Sequence, residues 1–219
     1  MKSPPPPSNT GHKPPIHACH FIHTNDVEKL QILAFRNHPA TTAWMYNEYI
    51  SLESHLHFIK QLRHNHNSAY YLFKQADKLL GVGSLTRIHP THQHAFLGIY
   101  KNPDLERVGG RILDALEFIA FFKMGLHSLH LEVIATNTRA IAFYQNHAYQ
   151  RAGFLRDFIY RQDNYHDVWL FSKLSPLTPP TKALDDSLNC CRTECQPCQL
   201  PRDRPKIFDH PKGHRCRCG

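Results

Sequence analysis

The stretch Leu97-Gly98-Ile99-Tyr100, then Asn102-Pro103, then Leu105-Glu106-Arg107-Val108-Gly109-Gly110-Arg111, reads as a strand passing through a small-residue loop into a helix. Such a loop presents free backbone N–H groups and the positive end of a helix dipole, which together suit a pyrophosphate. Glycines let the backbone approach such a ligand closely. A plain strand-to-helix connection is the alternative for this stretch alone. Residues 131–144 pose a second question: the segment starts as a strand and finishes as a helix, with Asn137 at the joint and Tyr144 seven residues beyond. For Tyr144 the bland reading is a core aromatic on an amphipathic helix.

The body that must position these residues is one domain. The chain has 219 residues, 41% of them apolar, which suffices for a globular core with tails. The formal charge is +8, but residues 1–20 carry +2 of it and residues 176–219 carry +3, leaving a mildly basic body. A cleft for a phosphate-bearing ligand fits that balance as well as a nucleic-acid face does. No apolar run approaches the ~20 residues of a membrane span. The N-terminus lacks the apolar stretch of a signal peptide. Of seven Cys, only Cys19 precedes the last thirty residues, so the body is no disulfide scaffold. A soluble, cytoplasmic protein is expected.

Residues 1–15 are Pro-rich, polar and aperiodic, and are expected to be disordered. The domain is expected over 16–175. A strand at 17–24 precedes a helix that Asp26 can cap, with Leu30, Leu33 and Ala34 on its inner face; Pro39 stops it. Ser51 caps a second helix bearing Leu52, Leu56, Ile59 and Leu62. A hairpin at 69–74 and 79–88 turns through 75–78, and a third strand follows at 94–100. Then come a helix at 111–122, a strand at 126–133, a short helix at 139–146 and an antiparallel pair at 149–160 and 168–174. Pro176, Pro179 and Pro180 end regular structure. The order is β-α-α-β-β-β-α-β-α-β-β.

A strand, Asn137, then Ala140-Ile141-x-x-Tyr144 resembles the GNAT family of N-acetyltransferases. The resemblance implies an α/β fold, the acyl-CoA N-acyltransferase fold, whose mixed, mostly antiparallel central sheet is splayed and flanked by helices. It implies acetyl-CoA as co-substrate. Its pyrophosphate would lie on Arg107, Val108, Gly109, Gly110 and Arg111, and its pantetheine arm between splayed strands beside Leu97, Gly98 and Ile99. Asn137 would hydrogen-bond that arm, and Tyr144 would protonate the leaving thiolate. A phenol of pKa about 10 can donate to a thiolate of similar basicity. Two family positions differ here: the first glycine of the loop is Arg107, and the Gly-Phe after the Tyr helix is Ala148-Tyr149.

Phe35-Arg36-Asn37-His38-Pro39, Trp44-Met45-Tyr46, Ile50-Ser51-Leu52, His55-Leu56, Leu97 to Pro103, Leu126-His127 with Leu129 and Leu131-Glu132-Val133, and Tyr165 with Asp167-Val168 narrow the resemblance. They look like the branch of pseudaminic acid biosynthesis in flagellated bacteria, over about residues 18–174. That branch acetylates the 4-amino group of a UDP-linked 4-amino-4,6-dideoxy-N-acetyl-altrosamine, and its product decorates flagellin. The resemblance puts Arg36, His55, Thr86, Arg87 and Tyr100 in the nucleotide-sugar pocket. Arginines can hold a diphosphate. The alternatives are a helix C-terminal cation for Arg36 and a solvent-facing helix position for His55. In direct transfer, a backbone N–H near Gly98 or Ile99 would polarise the carbonyl, and Glu132 is the candidate base; a structural carboxylate is its alternative. The expected partner is the UDP-amino-sugar, optionally a second copy in a homodimer, with no nucleic acid and no membrane.

Rival readings are acetylation of a protein N-terminus or another small amine, and a non-catalytic acyl-CoA-fold module whose tail binds zinc or nucleic acid. No metal is expected in the body: His55/His57 and His64/His66 are two apart, on different sides of a helix, and His92/His94 flank a loop. In the basic 176–219 tail, Cys195-x-x-Cys198 is a zinc-like half-site, and Cys190, Cys191, Cys216, Cys218, His210 and His214 lie nearby. That tail lacks the apolar residues for a fold of its own and is read as a disordered extension, with a small metal-binding knuckle as the alternative.

Overall fold

The computed structural model describes residues 14–47 and 49–176. The expectations for the Cys/His tail and for nearly all of the N-terminal segment therefore lie outside the described residues. Among the described residues seven strands form one sheet: β1 (Ile16–His20), β2 (Ala69–Gln75), β3 (Lys78–His89), β4 (His94–Lys101), β5 (Ser128–Ile134), β6 (Gln150–Arg161) and β7 (Asn164–Leu174), in the order β1-β2-β3-β4-β5-β7-β6. Every neighbouring pair is antiparallel except β4 and β5.

That parallel pair opens the sheet. β4 meets β5 only where His94–Phe96 faces Ser128–His130. Beyond it, Leu97–Lys101 and Leu131–Ile134 diverge, while each strand stays paired to its outer neighbour. Alternate backbone groups on the inner edges of the gap therefore have no partner in the sheet.

The helices lie on two faces. On one, α1 (Asp26–Asn37), the short α2 (Pro39–Thr42) and α3 (Leu52–Gln61) cover a core of Phe21, Ile32, Ile59, Leu62, Leu72 and Val82. On the other, α4 (Gly109–Phe118) and α5 (Thr138–Asn146) cover a larger core that includes Leu85, Leu97, Ile112, Leu116, Leu131 and Phe171. A π-helical turn at Ile119–Lys123 continues α4.

Local chemistry explains where expectation and structure part. The first helix is capped by Asn25, whose side chain accepts from Glu28 N–H while Glu28 reaches back to the cap, rather than by Asp26. Its inner face is Ile32, Phe35 and Arg36; Leu30 is 52% exposed. Likewise α3 buries His55 and Ile59 and leaves Leu52 and Leu56 outside. In α1 the sheet meets Ile32, Phe35 and Arg36 rather than the expected Leu30, Leu33 and Ala34; in α3 the expected Ile59, with Leu62 just beyond it, is buried, and only Leu52 and Leu56 turn outward. The first strand is also shorter than expected, because Phe21–His23 turns as a 3-10 helix whose cap is the His20 ring.

Candidate active site

The open gap separates two sets of side chains. Leu97, Leu131 and Val133 point to the α4–α5 face, where Tyr144 joins them in the buried core and Ile99 packs against it. Phe96, Gly98, Tyr100, His130 and Glu132 alternate onto the opposite face.

On the α4–α5 side, the loop after β4 is fastened by Lys101, whose ammonium donates to the carbonyls of Asn102 (3.2 Å), Pro103 (3.0 Å) and Leu105 (2.5 Å). Helix α4 then starts without a side-chain cap, so the N–H groups of Gly109, Gly110 and Arg111 point outward from its first turn. This end packs beside α5: a Cβ on Gly110 would lie 3.0 Å from the His147 ring. Arg107 and Arg111 flank the turn. Their cations, the amides and the dipole form a set suited to a diphosphate.

Arg107 adopts φ +55°, in the left-handed region, where the family loop carries glycine. Ala148 does the same at φ +65°, at the other glycine position, and the following Tyr149 is buried. Both turns keep their shape without glycine. A non-Gly residue there carries about 1 kcal/mol of strain. Arg107→Gly is therefore expected to raise unfolding free energy by about 0.5–1 kcal/mol. If the Arg107 cation holds the diphosphate of acetyl-CoA, as the resemblance implies, its loss should also raise KM for that co-substrate about tenfold. A urea melt and initial rates check the two arms.

Asn137 caps α5, its Oδ1 accepting from Ala140 N–H at 3.0 Å. Tyr144 sits in the last turn of that helix with ring contacts to Phe143 and Tyr149. Burial raises its phenol above the ordinary value, so it stays protonated at neutral pH.

On the other face the centre is Glu132. Its Oε1 pairs with Arg87 Nη2 at 2.8 Å and its Oε2 accepts from Tyr46 OH at 2.7 Å. Arg87 is turned toward it at a β3 irregularity with φ +49°, its guanidinium 3.9 Å over the Phe96 ring. Buried Arg36 donates to Asn47 O at 2.6 Å; its guanidinium is electrostatic neighbour to Tyr100 and Arg161. Burial lowers the Arg36 pKa and raises that of Tyr100. Arg161, from the β6–β7 hairpin, donates to Ala43 O at 2.7 Å. Between the hairpin and the α2–α3 segment lies a cleft of about 760 Å³ lined by Tyr46, Tyr49, Tyr160 and Arg161, among others.

The structure thus gathers Arg36, Arg87, Tyr100 and Glu132 around one face of the gap. It does not bring His55 there. His55 is 4% exposed, and its Nε2 meets Lys29 O at 3.0 Å, joining α3 to α1. Thr86 donates to Phe96 O at 3.4 Å within the sheet. Tyr46 and Arg161 carry no signal of a role in the sequence: Tyr46 belongs to Trp44-Met45-Tyr46, but its partner is 86 positions away.

Residues 20–170 match the model of the acetyltransferase (GNAT) domain. The chain belongs to the GNAT acetyltransferases. It is 30% identical, over 140 residues, to the acetyltransferase PseH of Campylobacter jejuni, covering 64% of this chain and 88% of that one. The crystal structure of C. jejuni PseH in complex with acetyl coenzyme A superposes with TM-score 0.58 and 20% identity, covering 74% of this chain and 99% of that one. Spermidine N-acetyltransferase from Vibrio cholerae, in complex with CoA and spermine, superposes with TM-score 0.65 and 20% identity over 73% and 94%. The protein is an N-acetyltransferase of the GNAT fold, similar to PseH, in a family that uses acetyl-CoA. Among the described residues no helix is long and apolar enough to cross a membrane.

Proposed function

We propose that this enzyme transfers the acetyl group of acetyl-CoA to the 4-amino group of a UDP-linked 4-amino-4,6-dideoxy-N-acetyl-altrosamine, in the cytoplasmic synthesis of pseudaminic acid for flagellin. The observation that carries the reading is the charge of the acceptor face. Arg161 and Asp163 line the cleft, Arg36 lies electrostatically close to Arg161, and on the adjoining face of the gap Arg87 pairs with Glu132, so these groups leave one cation in excess. A polyamine site would need the opposite balance, since like charges repel the ligand. Similarity to PseH supports the same acceptor.

In this reading acetyl-CoA lies in the gap, its diphosphate on the α4 N-terminus with Arg107 and Arg111, its arm beside Leu97, Gly98, Ile99 and Asn137. The neutral 4-amine attacks the thioester carbonyl from the Glu132 face. A β4 N–H at the gap, near Gly98 or Ile99, polarises that carbonyl. Glu132 takes the amine proton, directly or through water, and Tyr144 gives a proton to the departing thiolate. Acid and base thus act from opposite faces, and proximity supplies much of the rate.

Free UDP tests the acceptor class. It is expected to inhibit competitively against the acceptor amine and to do so less as salt rises. Indifference to UDP, together with turnover of spermidine, would replace this reading with a polyamine one.

A further inference from the structure

We propose that Tyr46 is a positioning residue for Glu132, carried to it by the segment that walls the acceptor cleft. The inference rests on Glu132 being the base. The Glu132 side chain is only 10% exposed and is held from two sides, Oε1 by Arg87 at 2.8 Å and Oε2 by Tyr46 at 2.7 Å. Each carboxylate oxygen has two lone pairs, so one on each stays open for an amine or a water. The two holders differ in kind. Arg87 belongs to the sheet and lies over Phe96. Tyr46 comes from irregular chain between α2 and α3, which is fastened elsewhere by Arg36 to Asn47 O, by Arg161 to Ala43 O, and by Asn37, whose carboxamide both donates to Ile50 O and accepts from Ile50 N–H.

The same segment supplies Tyr46, Asn47, Tyr49 and Ile50 to the cleft. Orientation of the base and the shape of the acceptor site therefore depend on one piece of chain. Burial and the neighbouring carboxylate raise the Tyr46 phenol above its ordinary value, so it remains a neutral donor across the working pH range.

The experiment compares kcat and both KM values for the wild type, Tyr46→Phe, Glu132→Gln and the double variant, with melting curves to establish folding. Tyr46→Phe is expected to lower kcat about tenfold, with KM for acetyl-CoA and for the acceptor unchanged. Glu132→Gln is expected to lose about a hundredfold, and Tyr46→Phe to cost nothing further in that background, because the group it positions is gone. If Glu132→Gln is crippled but Tyr46→Phe overlays the wild type, or costs the same tenfold in the Glu132→Gln background, the positioning role is overturned and the base stands. A raised acceptor KM with kcat unchanged makes Tyr46 a substrate contact and overturns the proposal. Wild-type turnover by Glu132→Gln removes the base, and the proposal with it.

Discussion

Tyr144→Phe is expected to lower kcat about a hundredfold while leaving the melting temperature nearly unchanged. The ring of Tyr144 fills the core between α5 and both arms of the open gap, and phenylalanine keeps that packing with Phe143 and Tyr149. What is removed, on the proposed mechanism, is the protonated phenol that would serve the departing thiolate. Burial raises its pKa, which makes the hydroxyl a reliable carrier of its proton at neutral pH. KM for acetyl-CoA should change little, because the proposed mechanism has the diphosphate and the arm held elsewhere. The check is thiol release under saturating substrates beside a thermal melt. Unchanged kcat would assign leaving-group protonation to water or another group.

Gly81→Ala is expected to destabilise the fold by more than about 3 kcal/mol, a large share of the roughly 5–15 kcal/mol that a domain has. Gly81 sits in β3 at φ +152°, where a Cβ would lie 2.4 Å from Tyr100 O, 2.6 Å from Lys101 Cα and 2.8 Å from Ile112 Cδ1. Two of those atoms are backbone and cannot step aside cheaply. The displaced strand end carries Tyr100 on the acceptor face and Lys101, which ties down the loop leading into α4. Urea unfolding should show the loss, and whatever protein remains folded should bind acetyl-CoA more weakly. A midpoint equal to wild type would mean that β3 and β4 are not so tightly apposed.

The element order was readable because it depends on local pattern: strand alternation, a small-residue loop opening a helix, a capping Ser51 before α3. The loop pointed to a phosphate-binding helix start for the same reason, whereas the roles of Asn137 and Tyr144 came from the family resemblance. Helix faces were only partly readable: in α1 Leu30 makes a plausible inner residue until the sheet selects Ile32, and in α3 Leu52 and Leu56 turn outward while Ile59 and Leu62 are buried as expected. Nor could sequence show that Arg87 would turn toward Glu132, since that follows from a positive φ at a strand irregularity. The Tyr46–Glu132 bond joins residues 86 positions apart, and His55 is claimed by a carbonyl of α1. Such pairings are set by tertiary packing, which leaves no periodic trace.

The most direct test is thiol release from acetyl-CoA by the full chain with the UDP-linked 4-amino-4,6-dideoxy sugar or with spermidine as acceptor. The cationic acceptor face predicts kcat/KM for the nucleotide sugar higher by about a hundredfold or more. Equal or better turnover of spermidine, or none of the nucleotide sugar by folded enzyme that binds acetyl-CoA, would contradict it.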